Sequence, residues 1–365
     1  MGFHIGGLQG SIQKRKGQGE KPCLFSRTFT KGSEGVKQAT IRRFISLGML
    51  GVLVILFSFL SSYYWSGDNL LAILRDASVA GIIGVGVTYV ILTAGIDLST
   101  GSMMALVAMT MANIYRYTLL PIWMMILLGI FTGLAAGLFN GLVVAKLHLP
   151  EFIATLATMG IFRALTYTIA IRDGGGVITS QAMTYSSFVK LGGGVGRLHY
   201  VSIAFVIVTI AGQVVLKKTR FGTNLYAVGA NKKAARLSGI SIEKTRILAY
   251  MIVGLCSAVG AVFTTARLQS TTVLLGSGFE FNPIAAAVVG GVSLSGGYGD
   301  VVGTFIGALF LSALDNGVLK LQMNTAYQYV IKGTILILVV MFDSWYNGWM
   351  EKRAYEQGRR EAANR

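Results

Sequence analysis

The chain is short of charge. Of its 365 residues, 13% are charged and 53% hydrophobic, where a water-soluble domain carries roughly 25% charged residues. Even a very large buried core does not supply so many apolar windows with so few charges between them, so lipid is the implied solvent. Proline is scarce too, at four residues. Without the Pro and Ser of disordered linkers, the 47 glycines suit close helix contacts in a bilayer. Two cysteines, Cys23 in a basic segment and Cys256 in an apolar window, imply no disulfide framework, and the three histidines form no zinc spacing. There is no Gly-x-x-x-x-Gly-Lys-[Ser/Thr] loop for nucleotide phosphates. Nor is there a Ser/His or Cys/His arrangement for catalysis. The chain is expected to be no enzyme and to carry no metal or cofactor of its own.

What the sequence does have is a series of apolar windows near the ~20 residues that cross a ~30 Å hydrocarbon layer. Ten can be read, at roughly 45–65, 77–95, 101–120, 121–146, 152–171, 199–216, 247–267, 280–297, 301–319 and 327–346. The expected fold is all-α: a polytopic membrane protein over residues 44–346 with about ten helices, broken or re-entrant segments and a weak internal repeat. The window at 280–297 starts with Glu280, Asn282 and Pro283 and ends in glycines, which marks a half-helix that enters and returns.

The net charge of +17 invites a nucleic-acid reading until the charges are located. Residues 1–43 hold nine Lys and Arg, residues 217–246 eight and residues 347–365 five, together 22 of 32. Six windows separate the first group from the second and four the second from the third. Both numbers are even, so the three groups share a side, and Lys and Arg gather on the cytoplasmic side. The basic excess is topology and contact with anionic lipid. A mobile tail over 1–43, a loop over 217–246 and a tail over 347–365 are expected in the cytoplasm.

Small residues knit the windows together. Gly129, Gly133, Gly137 and Gly141 recur every four residues, and Gly303 and Gly307 repeat the spacing, giving helix faces on which two backbones approach closely. Two polar interruptions echo each other: "GIDLSTG" at 95–101 and "GVSLSGG" at 291–297. Freed backbone groups and hydroxyls find no partners in lipid, so such breaks survive only inside protein or beside water. Paired breaks in the two halves of a membrane protein point to a transport path. Each precedes a window leading to an Asn-Gly pair, Asn140-Gly141 and Asn316-Gly317. Candidate path residues are therefore Asp97, Ser99, Gly101, Asn140, Ser293, Ser295 and Asn316, with Arg163 and Asp315 added because ionisable groups at depth face a protein interior or a wet cavity. Asp97 is the simplest partner for Arg163 by type, and an ion-coupled secondary transporter built on Asp97, Arg163 and Asp315 is the rival reading.

In the basic loop, "AVGANKKAARLSGI" places good helix formers over Lys232–Leu237, a cap at Asn231 and a stop at Gly239. Together with "ILTAGIDLSTGS", "TRFGTNLYAVGANKKAARLSGI" and "GFEFNPIAAAVVGGVSLSGGYGDVVGTFIGALF", in that order over about residues 65–345, the chain resembles the membrane permeases of ABC-type importers for monosaccharides, in the branch that includes ribose, galactose, xylose and autoinducer-2 permeases. That resemblance implies a pair of permease chains, identical or related, a cytoplasmic ATPase docked on each, ATP used only by that partner, and a soluble sugar-binding protein outside. It also implies a bacterial inner-membrane location and a coupling segment at Ala227–Ile240. There Asn231, Ala234, Ala235, Ser238 and Gly239 carry the match, and Lys232, Lys233, Arg236, Leu237 and Ile240 complete the docking surface. The family often has Glu-Leu-Asp where this chain has "EFNP", with Asn282 and Pro283 in place of the acidic position.

Overall fold

The computed structural model describes residues 46–341, apart from 62, 119, 171, 174, 175, 178, 323 and 325, together with the isolated positions 44, 345 and 348. The tails expected over 1–43 and 347–365 lie outside the described residues but for position 348. The helices are α1 (Ser46–Leu60), α2 (Gly67–Leu92), α3 (Thr100–Tyr117), α4 (Ile122–Lys146), α5 (Glu151–Ile169), α6 (Ser186–Leu191), α7 (Tyr200–Lys218), α8 (Arg220–Ala230), α9 (Lys232–Leu237), α10 (Ile242–Leu268), α11 (Phe281–Val289), α12 (Val301–Lys320) and α13 (Ala326–Met341). Six of them, α2, α4, α5, α7, α10 and α12, are long and apolar enough to cross a membrane. The remaining four windows are occupied by α1, α3, α11 and α13. Of these, α11 is a half-helix: nine residues rise about 13 Å, less than half a bilayer.

Two boundaries differ from the sequence reading for identifiable reasons. Helix α2 begins ten residues before its apolar window, because the Ser66 hydroxyl accepts from the Asn69 amide and caps a first turn that carries Asp68. Those charges, with Arg75 and Asp76, hide the start from any hydropathy pattern. Helix α8, inside the expected loop, is capped in the same way, with the Thr219 hydroxyl accepting from the Gly222 amide. Between α5 and α7 the chain forms short antiparallel pairs, of which Ser180–Ala182 pairs with Ser270–Thr272 just after α10.

Helix α10 is the central post, packed on α2, α3 and α4. Its contact with α4 runs along the glycine stripe. A Cβ at Gly133, Gly137 or Gly141 would strike backbone at Gly254, Tyr250 or Ile247 of α10, and Gly254 in turn faces Gly133. Without a hydrophobic drive between helices in lipid, such van der Waals contact is what holds them. Gly303 and Gly307 do the same for α12, meeting the backbone of α11 at Gly290 and Ala286. Pro283 is tolerated in α11 because it sits in the first turn, where no intrahelical N–H partner is required.

Candidate functional site

The first break, residues 93–99, is held by side chains. The Asp97 carboxyl accepts from the Ser99 amide at 2.8 Å and the Ser99 hydroxyl at 2.7 Å. Asn140, on α4, donates its amide to Ser99 Oγ at 2.7 Å and to Asp97 Oδ2 at 3.4 Å. All three residues are buried. Their polar atoms are turned on one another, a network that offsets part of the desolvation penalty of placing a carboxyl here, while Asn140 Oδ1 has no partner among the described residues. Gly101, in the first turn of α3, is needed for another reason. A Cβ there would collide with the Gly276 carbonyl of the stretch preceding α11.

The second break, residues 290–300, is held by backbone. The Gly297 amide donates to the carbonyl of Leu92 at 2.9 Å, so the two breaks touch. Gly296 packs on Ala94. Asp300 Oδ1 accepts from the Gly303 amide at 2.8 Å and caps α12. Ser293 is buried, whereas Ser295, the counterpart of Ser99 in the motif, is exposed.

Helix α8 sits on this junction. A Cβ on Gly229 would collide with both the Leu92 carbonyl and the Gly297 amide, and Gly297 itself, at φ +75°, packs on Ala230. Tyr226, one turn earlier, donates its hydroxyl to the Gly299 carbonyl at 2.7 Å. Thus the end of α8 is seated where the breaks cross. One residue later Asn231 Oδ1 accepts from the Ala234 amide at 3.0 Å and starts α9. Gly239, at φ +79°, stops it in a conformation that favours glycine. Lys232, Lys233, Arg236 and Leu237 then line a cavity of about 610 Å³ shared with His148–Glu151 and Arg246. Leu237 is 90% exposed. Ala235 is the buried anchor of α9, while Ser238 returns its hydroxyl to the Ala234 carbonyl and Ile240 donates its amide to the Ala235 carbonyl.

The remaining path candidates lie elsewhere. Arg163 donates to the carbonyls of Val273 and Leu275 at 2.6 and 3.0 Å, holding the stretch before α11 at the level of the fourth turn of α5. Asp97 is spent within its own break, and no ion pair joins it to Arg163 among the described residues. Asp315, in the fourth turn of α12, pairs with Lys332 of α13 at 2.7 Å, with Asn316 beside it. Sequence reasoning missed Gly229 and Tyr226. A single glycine in a glycine-rich chain carries no pattern, and its contacts lie far away along the chain.

A family model described as branched-chain amino acid transport system / permease component matches residues 69–340. The chain belongs to this permease family. The matched stretch runs from the start of α2 to the end of α13, so both breaks and the α8–α9 segment of the permease lie inside it. The ribose import permease protein of Bacillus subtilis is 39% identical over 80% of this chain and 90% of its own length. The galactose/methyl galactoside import permease protein of Haemophilus influenzae is 36% identical over 76% and 86%, and the xylose transport system permease protein of Escherichia coli 30% identical over 86% and 94%. The permease is a multi-pass membrane protein and a transport component, not an enzyme.

Proposed function

We propose that this permease is the membrane-spanning subunit of an ATP-binding-cassette importer that carries a monosaccharide, or a related small polar solute, into the cytoplasm of a bacterial cell. The observation that carries the reading is the seat of Gly229 between the two breaks. It connects an exposed basic helix, α9, directly to the points where α2 and α11 stop and the chain turns back. A cytoplasmic ATPase docks on Asn231–Ile240, and its closure on ATP moves α8 and with it both breaks. A soluble sugar-binding protein delivers the solute to the outer face, a second permease chain completes the path, and both termini lie in the cytoplasm. The breaks shape this path more than they line it, since Asp97, Ser99 and Asn140 face one another. Affinity resides in the binding protein, which leaves the path free to release.

The ionisable groups give little support to an ion-coupled carrier. Asp97 is locked in a turn, Arg163 holds two carbonyls and Asp315 is paired with Lys332, so they form no connected relay. The deciding experiment is uptake by vesicles holding the full complex. Accumulation that requires ATP and survives an uncoupler is expected; accumulation that collapses with the uncoupler and ignores ATP would overturn the proposal. Within the complex, Gly239→Pro and Arg236→Glu should insert normally yet hydrolyse ATP without uptake. Normal uptake by both would remove the docking role of α9.

A further inference from the structure

The cytoplasmic ends of α5 and α10 form a two-rung contact around the first break. On the lower rung Glu151, the first residue of α5, pairs with Arg246 of α10, whose side chain is 11% exposed. Lys232, the first residue of α9, reaches the same carboxylate oxygen at 3.9 Å. Burial, and then the neighbouring Arg246, push the Lys232 ammonium below its ordinary value against the pull of Glu151, so this cation senses the pair. The Glu151 methylene also packs beside Gly95, the first residue of the break motif. The upper rung lies one turn along each helix, where side chains four residues apart stack on one face. There the Thr155 hydroxyl, bonded to Glu151 O at 2.8 Å, also lies 3.2 Å from the Ile96 carbonyl, and the buried Tyr250 hydroxyl donates to that carbonyl at 3.3 Å. Ile96 immediately precedes Asp97, so the grip ends on the hydrogen-bonded turn.

We propose that Glu151 is a positioning residue for transport: it ties α9, through Lys232 and Arg246, to the Ile96–Ser99 turn, so that movement of α9 reaches the first break by a route separate from Gly229. This rests on the reading of α9 as the docking helix. The carboxylate is the counter-ion of Arg246. Arg246 Nε and Nη2 have no hydrogen-bond partner among the described residues, so removing Glu151 leaves a buried cation uncompensated. The second break has no share in this contact, which makes the effect local.

Two measurements test it. The first needs only the permease: hydrogen exchange of the amides at 95–99 and at 292–299. Glu151→Gln, which keeps shape and removes charge, and the double variant Thr155→Val/Tyr250→Phe, which leaves the ion pair intact, should each speed exchange at 95–99 by about tenfold, equivalent to ~1.4 kcal/mol. Exchange at 292–299 should stay at the wild-type rate. Unchanged exchange at 95–99 in either variant, or an equal rise at both breaks, overturns the proposal. The second uses the permease reconstituted with its ATPase and binding protein. Solute accumulated per ATP hydrolysed should fall about fivefold or more, the lower end of coupling between sites, while hydrolysis continues. A wild-type ratio in both variants also overturns it. A wild-type complex that shows no ATP-driven uptake counts against the importer reading alone, because the exchange measurement still judges the contact.

Discussion

Residues 95–101 and 291–297 share a motif and are built by different physics. In the first break the fixed points are side chains: Asp97, Ser99 and, from α4, Asn140. In the second they are places without side chains, with Gly291, Gly296, Gly297 and Gly299 all at positive φ and the Gly297 amide bonded to Leu92. The matched serines show the divergence: Ser99 is buried and bonded, whereas Ser295 is exposed. Turning a chain at membrane depth demands that backbone groups be satisfied. Carboxyl and amide side chains accomplish this in one half; in the other, tight backbone contact does so as far as Asp300, whose carboxyl caps α12. The first break is therefore sensitive to chemistry and the second to volume.

The largest predicted effect attacks volume where the breaks meet. Gly229→Leu drives a side chain into the Leu92 carbonyl and the Gly297 amide, with backbone on both sides and no flexible neighbour to yield. The cost is expected at or above the upper end of the ~1–3 kcal/mol typical of overpacking, seen as a lowered thermal midpoint of the detergent-solubilised permease and loss of uptake. A wild-type midpoint would mean that the junction is looser than its contacts imply. Next, Asp97→Ala removes the acceptor of three bonds and leaves Ser99 and Asn140 partly unsatisfied, for about 2–3 kcal/mol. The smallest test sharpens the contrast. Ser99→Ala should cost about 1 kcal/mol and Ser295→Ala less than ~0.5 kcal/mol by the same midpoint. Equal costs for the two serines would erase the distinction between the breaks.

Much of this was legible in the chain. Asn231 and Gly239 bracket α9 as expected, because a cap and a left-handed stop are local chemistry that needs no distant partner. The half-helix α11 was signalled by polar residues at one end and glycines at the other. The glycine stripe of α4 announced a tight helix contact, although not that α10 would supply it. What stayed hidden depends on contacts between remote segments. The start of α2 is masked by Asp68, Arg75 and Asp76, charges that a helix end carries easily. Arg163 and Asp97, complementary in charge, are satisfied separately, one by carbonyls and the other by its own turn. Ser99 and Ser295 look alike in sequence and differ only in what surrounds them.

The shortness of α11 leaves irregular chain to fill the rest of its span. Next to it in the chain, Arg163 holds irregular backbone at Val273 and Leu275. Leu274 and Phe281 on that stretch are exposed. Irregular chain can lie at the depth of hydrocarbon tails only where protein satisfies its peptide groups, and here it is so satisfied: Arg163 holds two carbonyls, the Val273 amide donates to the Thr179 carbonyl and the Leu275 amide to the Thr272 carbonyl. The broad apolar sides of α4 and α5, regular helix throughout with Trp123, Phe131 and Phe152 outermost, are the ones fit to meet the lipid.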